Sequence, residues 1–98
     1  MRVVVAGIEG TESWDEMSKA DVHIRRETLE RDVLATIDAL RGREPSIAGL
    51  LFECAGFGPV SAAARRRTGL PVQDAVTNAE FLMAGAAAKV RAVKPIAA

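Results

Sequence analysis

Apolar and polar residues follow one another along this chain in blocks that predict alternating strands and helices. Residues 2–8 form an apolar, mostly β-branched run and residues 47–53 a mostly apolar one, which is typical of strands buried on both faces of a parallel sheet. Between them, over 26–41, the apolar residues fall on one face of a helix: Leu29, Val33, Ile37 and Leu40. A strand, a long helix and a second strand predict a crossover unit with parallel strands.

Helix starts and stops divide the rest of the chain. Three more helices are predicted, near 14–19, over 59–67 and over 77–93, with a third strand over 71–74. Their boundaries rest on capping-box spacings, on prolines and on a glycine: Ser13, Thr77, Pro59, Pro95 and Gly69. Residues 1–98 therefore predict one small three-layer α/β lobe, in which helices flank a short parallel sheet of about three strands.

The last predicted helix is apolar on nearly every face, since alanine, phenylalanine, leucine, methionine and valine fill most of its positions. Such a helix needs burial on several sides, and a three-stranded sheet covers only one of them. One interpretation is a missing partner surface, either another subunit or another lobe. The other is an alanine-rich helix that is simply tolerated at the surface.

Composition narrows the classes of function. The chain has 13 basic and 13 acidic residues and a formal net charge of zero, so nothing favours a nucleic-acid or anionic-membrane partner. No apolar run approaches the length of a membrane span, and no signal peptide is expected. One cysteine excludes an internal disulfide and suits the cytoplasm, and with one histidine it argues against a zinc site.

The single cysteine, Cys54, stands where the second predicted strand stops and a glycine-rich turn begins. Ligands of parallel sheets bind just beyond the carboxyl ends of the strands. The start of a helix also favours the thiolate form of a cysteine. Cys54 is therefore a candidate nucleophile or proton-transfer group, and the alternative is a buried, inert thiol.

Two motifs around Cys54 resemble a known superfamily. They read Leu51-Phe52-Glu53-Cys54 followed by Phe57-Gly58-Pro59-Val60, and then Thr68-Gly69-Leu70-Pro71-Val72-Gln73-Asp74-Ala75-Val76-Thr77. Together they resemble the Asp/Glu/hydantoin racemase superfamily, most closely its uncharacterised aspartate/glutamate racemase family proteins. The resemblance is dense over 46–80 and looser over 2–45, where Ala6 to Thr11 looks like the start of the second lobe.

The resemblance implies a cofactor-independent racemase or isomerase with two facing α/β lobes and a cysteine from each lobe at the cleft. One thiolate removes the α-proton of a small carboxylate, such as an amino acid, and the opposite thiol returns a proton to the other face. Carried onto this chain, Cys54 is the acid/base. The substrate carboxylate would be held by Thr11, Ala55, Gly56 and Thr77, with no metal and no cofactor. The two threonines would also serve as plain helix caps.

Departures from the family pattern leave alternatives open. The chain is about half of a family member, so a homodimer or a complementary lobe is expected to complete the cleft. Ala55 and Gly56 replace a Thr-Asn pair, and Gln73 replaces an aromatic residue. One alternative is therefore a single-cysteine decarboxylase, and another is a non-catalytic ligand-binding or interaction remnant.

The remaining polar candidates have simpler interpretations. Glu9 and Glu53 end strands at the edge that carries Cys54 and are expected to point outward or to find partners. Asp74 is a candidate for turn hydrogen bonds that orient a loop. His23 is expected at the surface, and Arg65 to Arg67 on a solvated helix face.

Overall fold

The chain folds into a small α/β domain built on a two-stranded parallel sheet. In a computed structural model, the backbone is described for residues 1–92 and the side chains for residues 1–86. In chain order the elements are α1 (Glu12–Met17), α2 (Arg26–Arg43), β1 (Leu50–Leu51), a 3-10 turn (Ala55–Val60), α3 (Ser61–Thr68), β2 (Val72–Gln73) and α4 (Ala75–Ala92). The predicted limit of the last helix, near Val93 and Pro95, lies outside the described residues. None of the described helices is long and apolar enough to cross a membrane.

Helix α2 forms one wall of the core. All four apolar residues predicted to share its inner face are at most 8% exposed, which confirms the predicted helix and extends it to Arg43. Three of them, Leu29, Val33 and Ile37, pack with residues from the sheet and from the helix that connects its strands. The central cluster consists of Ile8, Leu29, Val33, Ile37, Phe52, Val60, Ala64 and Val72.

The two strands are short and parallel. Leu50 pairs with Val72 and Leu51 with Gln73. Leu50 donates its N–H to the carbonyl of Pro71 at 2.9 Å, and the Phe52 N–H reaches the carbonyl of Gln73 at 2.8 Å. The parallel direction predicted for 47–53 and 71–74 is confirmed, although each ladder segment is shorter than its apolar run.

The connection between the strands differs in detail from the predicted helix over 59–67. The chain first winds as a 3-10 turn from Ala55, with Pro59 inside it, and α3 begins only at Ser61. The end of α3 follows the prediction, because Gly69 takes the left-handed conformation at φ +68°. Its N–H bonds to the carbonyl of Arg65 at 2.8 Å.

The amino-terminal segment is not a strand in the structure, so over residues 1–92 the sheet has two strands rather than about three. Val3 and Val5 are 77% and 83% exposed, and Ile8 is buried at 5%. Arg2 pairs with Glu44 at 2.9 Å, just beyond the end of α2. An apolar, β-branched run favours a strand, but it becomes one only where a neighbouring backbone completes the ladder.

Helix α4 projects from this core. Its residues 75–86 are exposed apart from Thr77, and the large apolar ones are 59–73% exposed: Val76, Phe81, Leu82 and Met83. The main contact of α4 is with the 3-10 turn. The radius of gyration is accordingly 17.7 Å, against about 13 Å for a compact domain of 100 residues. The described part of α4 thus keeps the exposed apolar surface predicted for the last helix.

Candidate functional site

Cys54 lies at the carboxyl end of β1, immediately before the 3-10 turn. It is partly buried, its backbone is extended, and its thiol is free. The first hydrogen bond of the turn runs from the Phe57 N–H to the Cys54 carbonyl at 3.1 Å. Because 3-10 bonds join residues three apart, the N–H groups of Ala55 and Gly56 have no partner within the turn. The structure thus brings the thiol and two backbone donors to one corner.

Gly56 leaves one side of the thiol uncovered. A Cβ atom built on Gly56 would lie 3.5 Å from Cys54 Sγ, which is ordinary van der Waals contact. An alanine at this position would therefore fit, but its methyl group would cover that side of the sulfur. Among the residues after Cys54, Gly56 is the one whose lack of a side chain keeps the sulfur open to a small ligand.

Thr77 does not begin the last helix as predicted. Asp74 is the residue before α4, and its bonds with Thr77 are reciprocal. Thr77 N–H donates to Asp74 Oδ1 at 2.8 Å, and Thr77 Oγ1 accepts the Asp74 N–H at 2.8 Å. This arrangement is a capping box three residues earlier than the predicted one, and it uses the Thr77 hydroxyl.

Asp74 is a buried carboxylate with several bonding partners. It is 5% exposed, and its Oδ2 accepts a hydrogen bond from Ser61 Oγ at 2.5 Å. Arg65 Nη2 lies 3.8 Å from the same oxygen and donates to the Val72 carbonyl at 2.9 Å. The hydrogen bonds from Ser61 and from the Thr77 N–H hold the pKa of Asp74 below its usual value. The sequence predicted turn hydrogen bonds of Asp74 that orient a loop, and the structure shows its bonds with the starts of two helices, α3 and α4.

Thr11 belongs to a different part of the molecule. It precedes α1, accepts the Trp14 N–H at 3.2 Å and donates to the Ile8 carbonyl at 2.6 Å. Thr11, rather than Ser13, is therefore the cap, and α1 begins earlier than the predicted 14–19. The hydroxyl of Thr11 is engaged as a plain helix cap, like that of Thr77.

Ser13 and Asp32 form a second buried polar pair, which joins α1 to α2. Asp32 is 7% exposed, and its Oδ2 accepts the Ser13 N–H at 2.9 Å, while Oδ1 pairs with Arg31 at 3.0 Å. Burial alone would raise the pKa of Asp32, but the bonds from Ser13 and Arg31 outweigh it and leave the pKa lowered.

The other polar candidates lie at the surface. Glu9 and Glu53 are exposed. His23 is exposed as predicted, with Nε2 3.0 Å from Asp21 Oδ2. The arginines of α3 are not simply solvated, because Arg65 bonds to β2 and Arg67 pairs with Asp38 of α2. Within the described part of the chain, no group of histidine, cysteine, aspartate and glutamate side chains is placed to hold a metal ion.

Ser61 is the residue near the site that sequence reasoning missed. It is 2% exposed and bonds to Asp74 across 13 positions of the chain. A local signal does exist, since Ser61 shares a helix face with Ala64 and follows the buried Val60. A hydroxyl at a position that the helix period assigns to the core needs a buried partner.

Acid is expected to destabilise the fold through these two buried carboxylates. Their pKa values in the folded state are lowered from 3.8. Their stabilisation is therefore present above that value and is lost as the pH falls through the lower folded pKa. The urea concentration at the midpoint of unfolding is measured at pH 7, 5 and 3. It should fall more between pH 5 and pH 3 than between pH 7 and pH 5. Asp32→Asn and Asp74→Asn should each flatten this drop, whereas Asp15→Asn, at an exposed position, should leave it unchanged. An equal drop in all three variants would contradict the assignment.

Comparison with known proteins gives one distant similarity. The chain is 30% identical over 91 residues to "Dimethylsulfoniopropionate lyase 5" of Emiliania huxleyi (strain CCMP1516). The alignment covers 85% of this chain but only 18% of that relative, so the chain spans about a fifth of its length. No protein-family profile matches the chain, and no solved structure matches it.

Proposed function

We propose that this chain is a racemase-like lobe that moves a proton on the carbon next to the carboxylate of a small substrate. Cys54 is its acid/base. The observation that carries the proposal is the position of Cys54 at the carboxyl end of β1, beside two backbone N–H groups without partners in the turn. A neutral chain with a single free thiol also suits a cofactor-free reaction in a reducing cytoplasm.

The chemical step needs only a base and a stabilised carboxylate. The Cys54 thiolate takes the α-proton, and the electron pair of the broken C–H bond moves into the carboxylate as an enediolate. The N–H groups of Ala55 and Gly56 bind a carboxylate oxygen as its negative charge grows. A proton returned to the opposite face of the carbon then gives the inverted product. The backbone carries this binding, because the hydroxyls of Thr11 and Thr77 are used in helix caps.

A lyase reaction is a second candidate, and the similarity to the dimethylsulfoniopropionate lyase favours it. Both reactions share their first half, because the α-proton of the propionate must leave in either. In the elimination, the electron pair of the C–H bond forms a carbon–carbon double bond. The β-carbon–sulfur bond breaks, and dimethyl sulfide departs with that bond's electrons to leave acrylate. One thiolate suffices for this reaction.

Inversion, in contrast, needs a second acid/base on the other side of the substrate. The chain has one cysteine, so a second copy or a complementary lobe must supply that group. Two copies related by a twofold axis would place one Cys54 opposite the other and cover the apolar surface of α4. In that assembly residues 2–8 would form the amino-terminal strand that the sequence predicts, on the free edge of β1, where Val3 and Val5 gain a neighbour.

Proton exchange with solvent separates these reactions in one experiment. The purified chain is incubated in deuterated water with aspartate, glutamate, hydantoins, malonates and dimethylsulfoniopropionate, and the products are followed by NMR. Deuterium at the α-carbon together with loss of optical activity is the expected result. Acrylate with dimethyl sulfide would assign the lyase reaction, and carbon dioxide from a malonate the decarboxylase. Folded protein that yields none of these products would overturn the proposal in favour of a non-catalytic remnant.

A further inference from the structure

Asp74 is a buried carboxylate that joins β2 to the starts of α3 and α4. It directly follows β2, and its two oxygens serve different helices. Oδ1 accepts the Thr77 N–H at the start of α4, and Oδ2 accepts the Ser61 hydroxyl at the start of α3. Carboxylates are seldom buried unless they are fully paired, and each of these bonds fixes one neighbour relative to the end of β2.

Asp74 is related to Cys54 through the register of the sheet, and Ser61 is related to it through the chain. Continuing the pairing of Leu51 with Gln73 places Asp74 beside Phe52, two residues before Cys54. Ser61 follows the last residue of the 3-10 turn that begins after Cys54. The turn is therefore fixed at one end by β1 and at the other by the bond from Ser61 to Asp74.

We propose that Asp74 is a positioning residue that acts on Cys54 through Ser61. It holds the 3-10 turn so that the thiol and the N–H groups of Ala55 and Gly56 face the same substrate. The proposal rests on the proposed function, but the positioning can be measured without any turnover. Arg65 supports the arrangement from the other side, because it bonds to the Val72 carbonyl and approaches Asp74 Oδ2.

The cap of α4 does not by itself account for Asp74. Capping needs one side-chain oxygen, and Oδ1 supplies it to the Thr77 N–H. The bond from Ser61 uses the other oxygen and serves α3. Asp74→Asn separates the two roles, because asparagine caps helices as well as aspartate does but offers Ser61 no anionic acceptor.

The test compares Asp74→Asn, Ser61→Ala and the double variant. The first readout is amide hydrogen exchange over residues 55–60, measured by mass spectrometry. Loss of a hydrogen bond to a charged group should speed this exchange about tenfold. Because both substitutions break the same bond, each should give the same change, and the double variant should add nothing further. The second readout is turnover, where kcat should fall about 10- to 100-fold at unchanged KM.

Asp32→Asn is the matched control. Asp32 is also a buried, hydrogen-bonded carboxylate, but its bonds join α1 to α2. This variant should lose stability and yet leave exchange over 55–60 and kcat as in the unmodified chain. Equal effects from Asp32→Asn, or additive effects from Ser61→Ala and Asp74→Asn, would overturn the positioning role. If the unmodified chain turns over no substrate, the proposed function fails, and amide exchange alone still decides whether Asp74 positions the turn.

Discussion

Cys54→Ala is expected to lower the rate of α-deuterium exchange by about 100- to 10,000-fold, the usual contribution of a positioned acid/base. Cys54 supplies the only thiol of the chain, and the described side chains nearest to it in sequence are Glu53, which is exposed, and Ala55. Neither side chain can take over the role of the Cys54 thiolate as the base. The measurement is the initial rate of deuterium incorporation by NMR, with circular dichroism to show that the variant is folded.

Two further changes at the same corner make the result specific. Cys54→Ser keeps the shape but replaces the thiol by a hydroxyl that loses its proton far less readily, so it should be nearly as slow as Cys54→Ala. Gly56→Ala adds a methyl group 3.5 Å from Sγ and should slow exchange less while raising KM. One equivalent of iodoacetamide should abolish exchange. Full activity in Cys54→Ala would remove Cys54 from the mechanism.

The sequence correctly predicted the elements that are determined by residues within the element itself. Helix α2 follows directly from the spacing of Leu29, Val33, Ile37 and Leu40, because any helix with this sequence puts them on one face. The glycines after Cys54 predicted the turn there, and Gly69 predicted the end of α3. These features need no knowledge of what packs against them.

The predicted amino-terminal strand could not be decided in this way. Residues 2–8 have the composition of a strand, yet pairing depends on a backbone about 40 residues away. In the structure only the end of the segment is anchored in the core, through Ile8, while Val3 and Val5 remain exposed. A strand pattern states what a segment can do when a neighbour is present, and the sequence does not show whether that neighbour is in the same chain.

The sequence predicted the position of the candidate site but not the hydrogen bonds that Asp74 forms. The end of a strand before a glycine turn located Cys54, Ala55 and Gly56 together. Two capping patterns overlap in the next segment, however, and either Asp74 or Thr77 could have started α4. The choice depends on Ser61, because its hydroxyl donates a hydrogen bond to the buried Asp74 carboxylate. Ser61 lies outside residues 74–80, so the local pattern could not indicate this partner.

Self-association is the second prediction with a large expected effect. Over residues 75–86, the part of α4 whose side chains are described, Glu80 is the single charged residue, and Phe81, Leu82 and Met83 are 62–73% exposed. Soluble monomers rarely expose a contiguous apolar surface of this kind. A second copy that covers α4 would also approach the 3-10 turn, because that turn is the main contact of α4 within the domain. We therefore expect the proposed inversion to require the dimer.

Light scattering after size exclusion tests this at high micromolar concentration. The unmodified chain should give twice its mass of 10.4 kDa. Phe81→Glu places a charge in the apolar surface and should give the single-chain mass, with racemisation lost because no second thiol faces the substrate. Val22→Glu, at an exposed loop residue away from α4, is the matched control and should remain a dimer with full activity. A monomeric unmodified chain would exclude two-thiol inversion by this chain alone, because one Cys54 cannot reach both faces of the substrate. Elimination and decarboxylation, which each need only one acid/base, would then be the reactions that still fit the site.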